Sequence, residues 1–247
     1  MRRRDLLIIG GAVGVALAVP PVLRRLPSEF EFSPLDGFAG FRRLDMGGVT
    51  GGGDPFAGLR LPDQAPLEET PISNLCSALF GPDAWAQDDV PIAIFNDFYC
   101  PYCRTLETDL LARADADASL RLSWRDMPLL GERSRQAARA ALAARFAGKE
   151  RAARAYLWDN GLRPGPSAVE QMAQALALDA GWLKREMTTR RVSEALAGSV
   201  NLGRRLGIPG TPGTFIGRTL VIGAMRAADL DKLIELERAE GPLDCAA

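Results

Sequence analysis

Val90-Pro91-Ile92-Ala93-Ile94-Phe95-Asn96-Asp97-Phe98 runs into Tyr99-Cys100-Pro101-Tyr102-Cys103 and then Arg104-Thr105-Leu106-Glu107. The apolar run from Val90 to Phe98 reads as a buried strand, and a helical pattern follows the second cysteine. A C-x-x-C at a strand-to-helix junction places Cys100 at the start of the helix. There the orphan backbone N–H groups and the positive end of the dipole stabilise a thiolate. Cys103 falls one turn further in, close enough to attack a mixed disulfide formed on Cys100.

Downstream, Leu120 to Asp126 alternates Leu120, Leu122 and Trp124 against Arg121, Ser123 and Arg125, the pattern of a strand with one solvated face. Residues Ser134 to Leu206 are helical in pattern and rich in Ala and Arg, with a break at Gly161 to Pro166. Thr214 to Ile216 and Thr219 to Ile222 read as two short strands joined at Gly217-Arg218. Ala227 to Ala239 reads as a closing amphipathic helix. The order predicts an α/β thioredoxin-like fold, with a helical insertion at about 133–206 between its βαβ and ββα halves. Upstream, residues 27–87 hold Gly47-Gly48, Gly51-Gly52-Gly53 and many prolines, which reads as an arm or linker. A short strand near Phe41 to Leu44 and a short helix over Ile72 to Phe80 are its expected regular pieces. Residues 88–247 form the expected domain.

The chain has 247 residues, 30 Lys+Arg against 31 Asp+Glu, and no histidine. Near-neutral charge argues against a nucleic-acid partner. The lack of histidine excludes imidazole general bases and His-ligated metals. Residues 1–26 read as a signal peptide or membrane anchor. Arg2, Arg3 and Arg4 form a basic head before the apolar run Leu6 to Val19, and Arg3-Arg4-Asp5-Leu6-Leu7 resembles a twin-arginine signal. Ala16-Leu17-Ala18 offers a cleavage site. Read on to Leu23, the apolar stretch is roughly 27 Å long as a helix, enough to span a bilayer. Either way the expected location is periplasmic, soluble or tethered, where disulfides persist.

Three motifs carry a resemblance to a known family. Phe95 to Cys103 resembles the F-x-D-x-x-C-P-x-C signature of DsbA-like thiol–disulfide oxidoreductases in the thioredoxin superfamily. Met127-Pro128-Leu129-Leu130-Gly131 is similar to their P-[IL]-L-G segment. Gly207-Ile208-Pro209-Gly210-Thr211-Pro212 before Thr214-Phe215-Ile216 resembles their G-[IV]-x-G-T-P-x-F loop. The resemblance covers roughly residues 88 to 240. It implies an exposed nucleophile at Cys100, a buried resolving thiol at Cys103, and a cis-proline loop at Thr211-Pro212 whose backbone pairs with an extended substrate. Pro101 and Tyr102 are then the tuning residues between the thiols. Strong oxidases of the family often carry histidine at the second of these positions, so Tyr102 implies a milder oxidant. Asp97 either relays protons as Cys103 deprotonates or caps the turn with its carboxylate.

Cys76 and Cys245 complete an even cysteine count, which in an exported chain suggests a second, structural disulfide. The alternatives are two unpaired thiols or a partner on another chain. The functional expectation is an exported oxidoreductase that forms or exchanges disulfides in cysteine-containing exported client proteins. It would use no cofactor or metal, be monomeric, and be served by a membrane or periplasmic redox partner. The alternatives are a dedicated reductase in cytochrome or metal-centre maturation, and a non-catalytic metal-binding or chaperone module.

Overall fold

The computed structural model describes residues 28–50, 72, 74–81, 86, 88–162 and 167–243. The expected signal or anchor segment lies outside the described residues. No helix among those described is long and apolar enough to cross a membrane.

The described strands form one six-stranded sheet: β1 (Ser33–Pro34), β2 (Arg42–Gly47), β3 (Val90–Asn96), β4 (Leu120–Asp126), β5 (Gly213–Ile216) and β6 (Thr219–Gly223), in the order β1-β2-β6-β5-β3-β4. β3 pairs parallel with β4, with Ile94 opposite Trp124, and antiparallel with β5, with Ile94 opposite Thr214. β5 and β6 make the expected hairpin through Gly217-Arg218. The helices are α1 (Leu75–Phe80), α2 (Pro101–Ala116), α3 (Glu132–Phe146), α4 (Glu150–Asn160), α5 (Ser167–Ala175), α6 (Ala180–Glu186), α7 (Arg190–Arg205) and α8 (Ala227–Ala239). α3 to α7 are the helical insertion.

The period-two alternation of β3 sends its side chains into two different cores. Ile92 and Ile94 pack with Leu106 and Leu110 of α2 and with Leu230, Leu233 and Ile234 of α8. Ala93 and Phe95 pack on the other face with Leu79 of α1 and with Leu202 and Leu206 at the end of α7. A third core lies within the insertion. There Ala137, Ala138, Ala141 and Ala144 bring α3 close to Ala153 and Leu157 of α4. Small side chains allow that approach, and the lost side-chain area is recovered as close packing.

Of residues 27–87, the described stretch carrying β1 and β2 joins the sheet. β2 lies parallel against β6, with Leu44 opposite Val221 and buried in the core. The pairing spans about 175 residues of sequence and leaves no local signal beyond the short strand expected at 41–44. β4 departs from expectation in part: its charged face is solvated at Arg121 but covered at Ser123 and Arg125. Ser123 Oγ donates to the Leu79 carbonyl at 2.9 Å, and Arg125 Nε donates to the Ala78 carbonyl at 2.9 Å. These carbonyls are the orphan acceptors at the C-terminal end of α1, which therefore needs donors from the strand it covers.

Candidate functional site

β3 stops at Asn96 because the chain turns sharply to start α2. The Asp97 carboxylate organises that turn. Its Oδ1 accepts from the Tyr99 N–H at 2.8 Å, and its Oδ2 accepts from the Leu129 and Leu130 N–H groups at 2.8 and 2.9 Å. Of the two sequence readings of Asp97, this geometry supports the cap. The carboxylate staples the Cys100 turn to the Met127–Gly131 segment, and three backbone donors occupy its oxygens. Tyr99 adds a second staple, its hydroxyl donating to the Leu162 carbonyl at 2.9 Å.

Cys100 is the N-cap of α2 and Pro101 its first residue, where a missing N–H costs nothing. The Cys103 N–H donates to the Cys100 carbonyl at 3.2 Å, so the two thiols share one helical turn. The Thr211–Pro212 peptide bond is cis. It brings the Thr211 carbonyl oxygen to 3.3 Å from Cys100 Sγ. Gly213, one residue later, lies where a Cβ would sit only 2.7 Å from Ile208 Cγ2. Glycine at that position is what lets the loop fold back on itself.

Both cysteines are free and buried. Cys100 is only 1% exposed, against the exposed nucleophile that the resemblance implied. Thr50 is in contact with its sulfur. Its N–H donates to the Thr211 carbonyl at 2.8 Å and its carbonyl accepts from the Thr211 N–H at 2.9 Å, an isolated antiparallel bridge. Its hydroxyl donates to Cys100 Sγ at 2.6 Å. Sequence reasoning missed Thr50, because nothing in its local pattern marks a residue fifty positions away as a partner of the thiol.

The two thiols differ sharply in acidity. Cys100 falls from the ordinary thiol value of 9.0 to about 5. The largest cause is the hydrogen bond from the Cys103 thiol. Burial opposes it, and the Thr50 hydroxyl and the Cys103 N–H reinforce it. Cys103 moves the other way. Burial pushes its thiol far up, and the hydrogen bond to Cys100 and that residue's negative charge push it further. One sulfur is poised as a thiolate and the other holds its proton, a division suited to stepwise thiol–disulfide exchange. Tyr102 stands at the rim, 43% exposed. Arg104 points away into an exposed ion pair with Asp159.

Beneath the site lies a charged cluster with no counterpart in the sequence reading. Arg154 of α4 is fully buried. It donates to Glu107 at 2.7 and 3.1 Å, to Asp126 at 3.0 Å and to Asn96 at 2.7 Å, and it stacks on Phe98 with 4.8 Å to the ring centroid. Glu107 is four residues beyond Cys103 on α2, so the cluster ties the active-site helix to β3, β4 and the insertion. Among the described residues, no group of three or more His, Cys, Asp or Glu could hold a metal ion. Cys76, buried in α1, is disulfide-bonded. Cys245, its expected partner, lies outside the described residues.

The family described as DSBA-like thioredoxin domain matches residues 91–235. Among solved structures, a thioredoxin-like oxidoreductase from Silicibacter pomeroyi DSS-3 is 33% identical, with a TM-score of 0.57 over 66% of this chain and 97% of that one. A periplasmic thioredoxin-like protein from Salmonella enterica serovar Typhimurium is 25% identical, with a TM-score of 0.58 over 68% and 99% of the two chains. The thiol-disulfide exchange protein alpha-DsbA2 from Wolbachia pipientis is 23% identical, with a TM-score of 0.55 over 62% and 84%, and its likeness is one of fold. Comparison with curated proteins gives no match.

Proposed function

The chain belongs to the DsbA-like family of thiol–disulfide oxidoreductases, and from that premise we propose that it forms or exchanges disulfides in exported proteins through the Cys100–Cys103 dithiol. The observation that carries this reading is the paired acidity of the two thiols beside the cis-proline loop. Cys100 titrates at about 5, whereas Cys103 stays protonated well above the ordinary range.

In the oxidising direction a client thiolate attacks the Cys100 sulfur of the Cys100–Cys103 disulfide, and Cys103 leaves as a thiolate and takes up a proton. A second client thiolate then attacks the client sulfur of the mixed disulfide. The client gains a disulfide and Cys100 departs as a stabilised thiolate. Two electrons pass from client to protein. In the reducing direction the same steps run backwards, with Cys103 resolving the mixed disulfide. Thr211 supports client docking in this reading, since its backbone N–H and C=O lie beside the thiol in position to pair with an extended segment. Export is proposed from the Arg2 to Val19 segment, and a structural bridge is proposed between Cys76 and Cys245.

Equilibrating the protein with glutathione pairs gives the reduction potential of the Cys100/Cys103 couple. A value near the strong-oxidant end, about −120 mV, supports disulfide donation. One near about −270 mV assigns reduction instead. Cys103→Ala removes the resolving step and should trap mixed disulfides with clients. A variant that stays free of adducts on non-reducing gels of whole cells would remove protein thiols as its substrates.

A further inference from the structure

The thiol that must meet a client is already in contact with this chain's own residues. Thr50 makes both backbone hydrogen bonds of an antiparallel pair with Thr211 and donates its hydroxyl to Cys100 Sγ. The segment is held at a further point, where the Gly48 carbonyl accepts from the Ala224 N–H at 3.3 Å. A Cβ at Gly48 would lie 3.9 Å from the Tyr102 ring, so the segment also runs along the rim residue between the two cysteines. Thr50 lies outside the span 91–235 that matches the family.

We propose that Gly48–Thr50 is a pseudosubstrate, a displaceable piece of this chain that holds the place of a client cysteine with its backbone and its hydroxyl. The inference rests on the oxidoreductase reading above and names what occupies that site when no client does. A serine or threonine hydroxyl is the oxygen counterpart of a cysteine thiol and projects from the backbone in the same way. In the position of Thr50, a client cysteine would present its sulfur to Cys100 Sγ. Threonine offers no sulfur to attack, so the pair is held without reaction. A thiol that is 1% exposed is out of reach of a protein disulfide, so the cap has to leave before exchange begins. Reactivity is then set by the fraction of molecules with the cap open. Leaving exchanges three backbone hydrogen bonds and that of the Thr50 hydroxyl for bonds to water or to the client strand, a balance that a docking client can tip.

The test uses the full chain, reduced, and compares the unmodified protein with Thr50→Pro, which deletes the donated N–H and cannot rebuild the bridge. Two rates are read on Cys100, each corrected for its measured thiolate fraction. One is alkylation by iodoacetamide. The other is exchange with an octapeptide carrying one internal disulfide. Opening the cap should raise both by about tenfold or more. Unchanged or slower rates in the variant would overturn the proposal. If alkylation accelerates while neither protein exchanges with the peptide, the cap stands and the oxidoreductase reading falls. If both proteins exchange at one rate, the oxidoreductase reading stands and the cap falls. Amide hydrogen exchange on the unmodified protein answers the same question without a substitution. The Thr50 and Thr211 amides should exchange at least tenfold faster than the Phe215 amide, and protection equal to that of Phe215 would mean a fixed structural contact.

Discussion

Arg154 grips Glu107 through two hydrogen bonds, and neither side chain touches solvent. Glu107 lies one helical turn beyond Cys103, and Arg154 belongs to the insertion. The pair therefore locks the active-site helix to a part of the chain that the thioredoxin half does not contain. Burying charges is costly, and the cluster survives because Asp126 and Asn96 satisfy the rest of the guanidinium.

Removing the guanidinium leaves Glu107 and Asp126 buried and unpaired. Arg154→Met should lower stability at neutral pH by about 3–5 kcal/mol, the usual cost of breaking a buried pair. Stranded carboxylates have folded pKa values above their unfolded values of about 4. Their neutral forms are therefore tolerated at low pH, and the loss grows as pH rises through the folded pKa values. Urea unfolding at pH 4.5 and pH 7 should show the smaller deficit at pH 4.5. An equal deficit at both would mean lost packing, not lost charge balance, is the cost. Arg154→Lys should rescue little, since an ammonium has three donors for the four oxygens the guanidinium holds and no planar fork to match Glu107.

The Cys100 thiolate should be visible in both stability and potential. Its folded pKa of about 5 lies below the ordinary 9.0. The unfolded chain binds the extra proton between those values, so the reduced protein should gain stability as pH rises from 5 to 9 and lose that gain as pH falls through 5. In the same window reduction takes up one proton, and the potential should fall by about 30 mV per pH unit. Below pH 5 it takes up two, and the slope should steepen to about 59 mV. Thr50→Val deletes a hydroxyl that lowers Cys100 and should move the break in slope to higher pH, with Thr50→Ser restoring it. A break that stays in place would separate Thr50 from the acidity of the site.

Tyr102 sits between the thiols without a charge to offer. Tyr102→His should lower the Cys100 pKa further, because an imidazolium beside the sulfur favours the thiolate. The reduced form is then stabilised and the oxidised form becomes the stronger oxidant, by about 30 mV for each 1.4 kcal/mol gained. Thiolate absorbance and glutathione equilibration give the two quantities. A raised pKa or a lower potential would shift the tuning to the Thr211–Pro212 loop.

The proposed Cys76–Cys245 bridge would close a loop of about 170 residues, for which chain entropy allows up to about 5 kcal/mol. Cys76→Ala and Cys245→Ala should each lower the melting temperature and leave Cys100 exchange intact. The double variant should melt with the singles, because one bridge is lost in all three. Additive losses would show that the two sulfurs act separately.

Read alone, the sequence determines what local pattern can encode. The apolar run of β3, the C-P-Y-C that follows it and the proline at the first position of α2 identify a redox dithiol at a helix start. Ala227 to Ala239 and Leu120 to Asp126 emerge with the boundaries they have in the fold. These signals depend on neighbours within a few residues, and the chain itself supplies those. Only the tertiary structure decides that Cys100 is covered, that β2 completes the sheet and that Arg154 lies buried beneath the active site. Thr50 meets Cys100 across fifty residues, Leu44 pairs with Val221 across the whole domain, and Arg154 reads in sequence like any other arginine of an Ala/Arg-rich helix. An arginine on a helix is most often solvated, and a threonine in a glycine-rich stretch most often marks a loop. What overrides those tendencies is long-range pairing, which exists only once the sheet has closed and the insertion has docked on it.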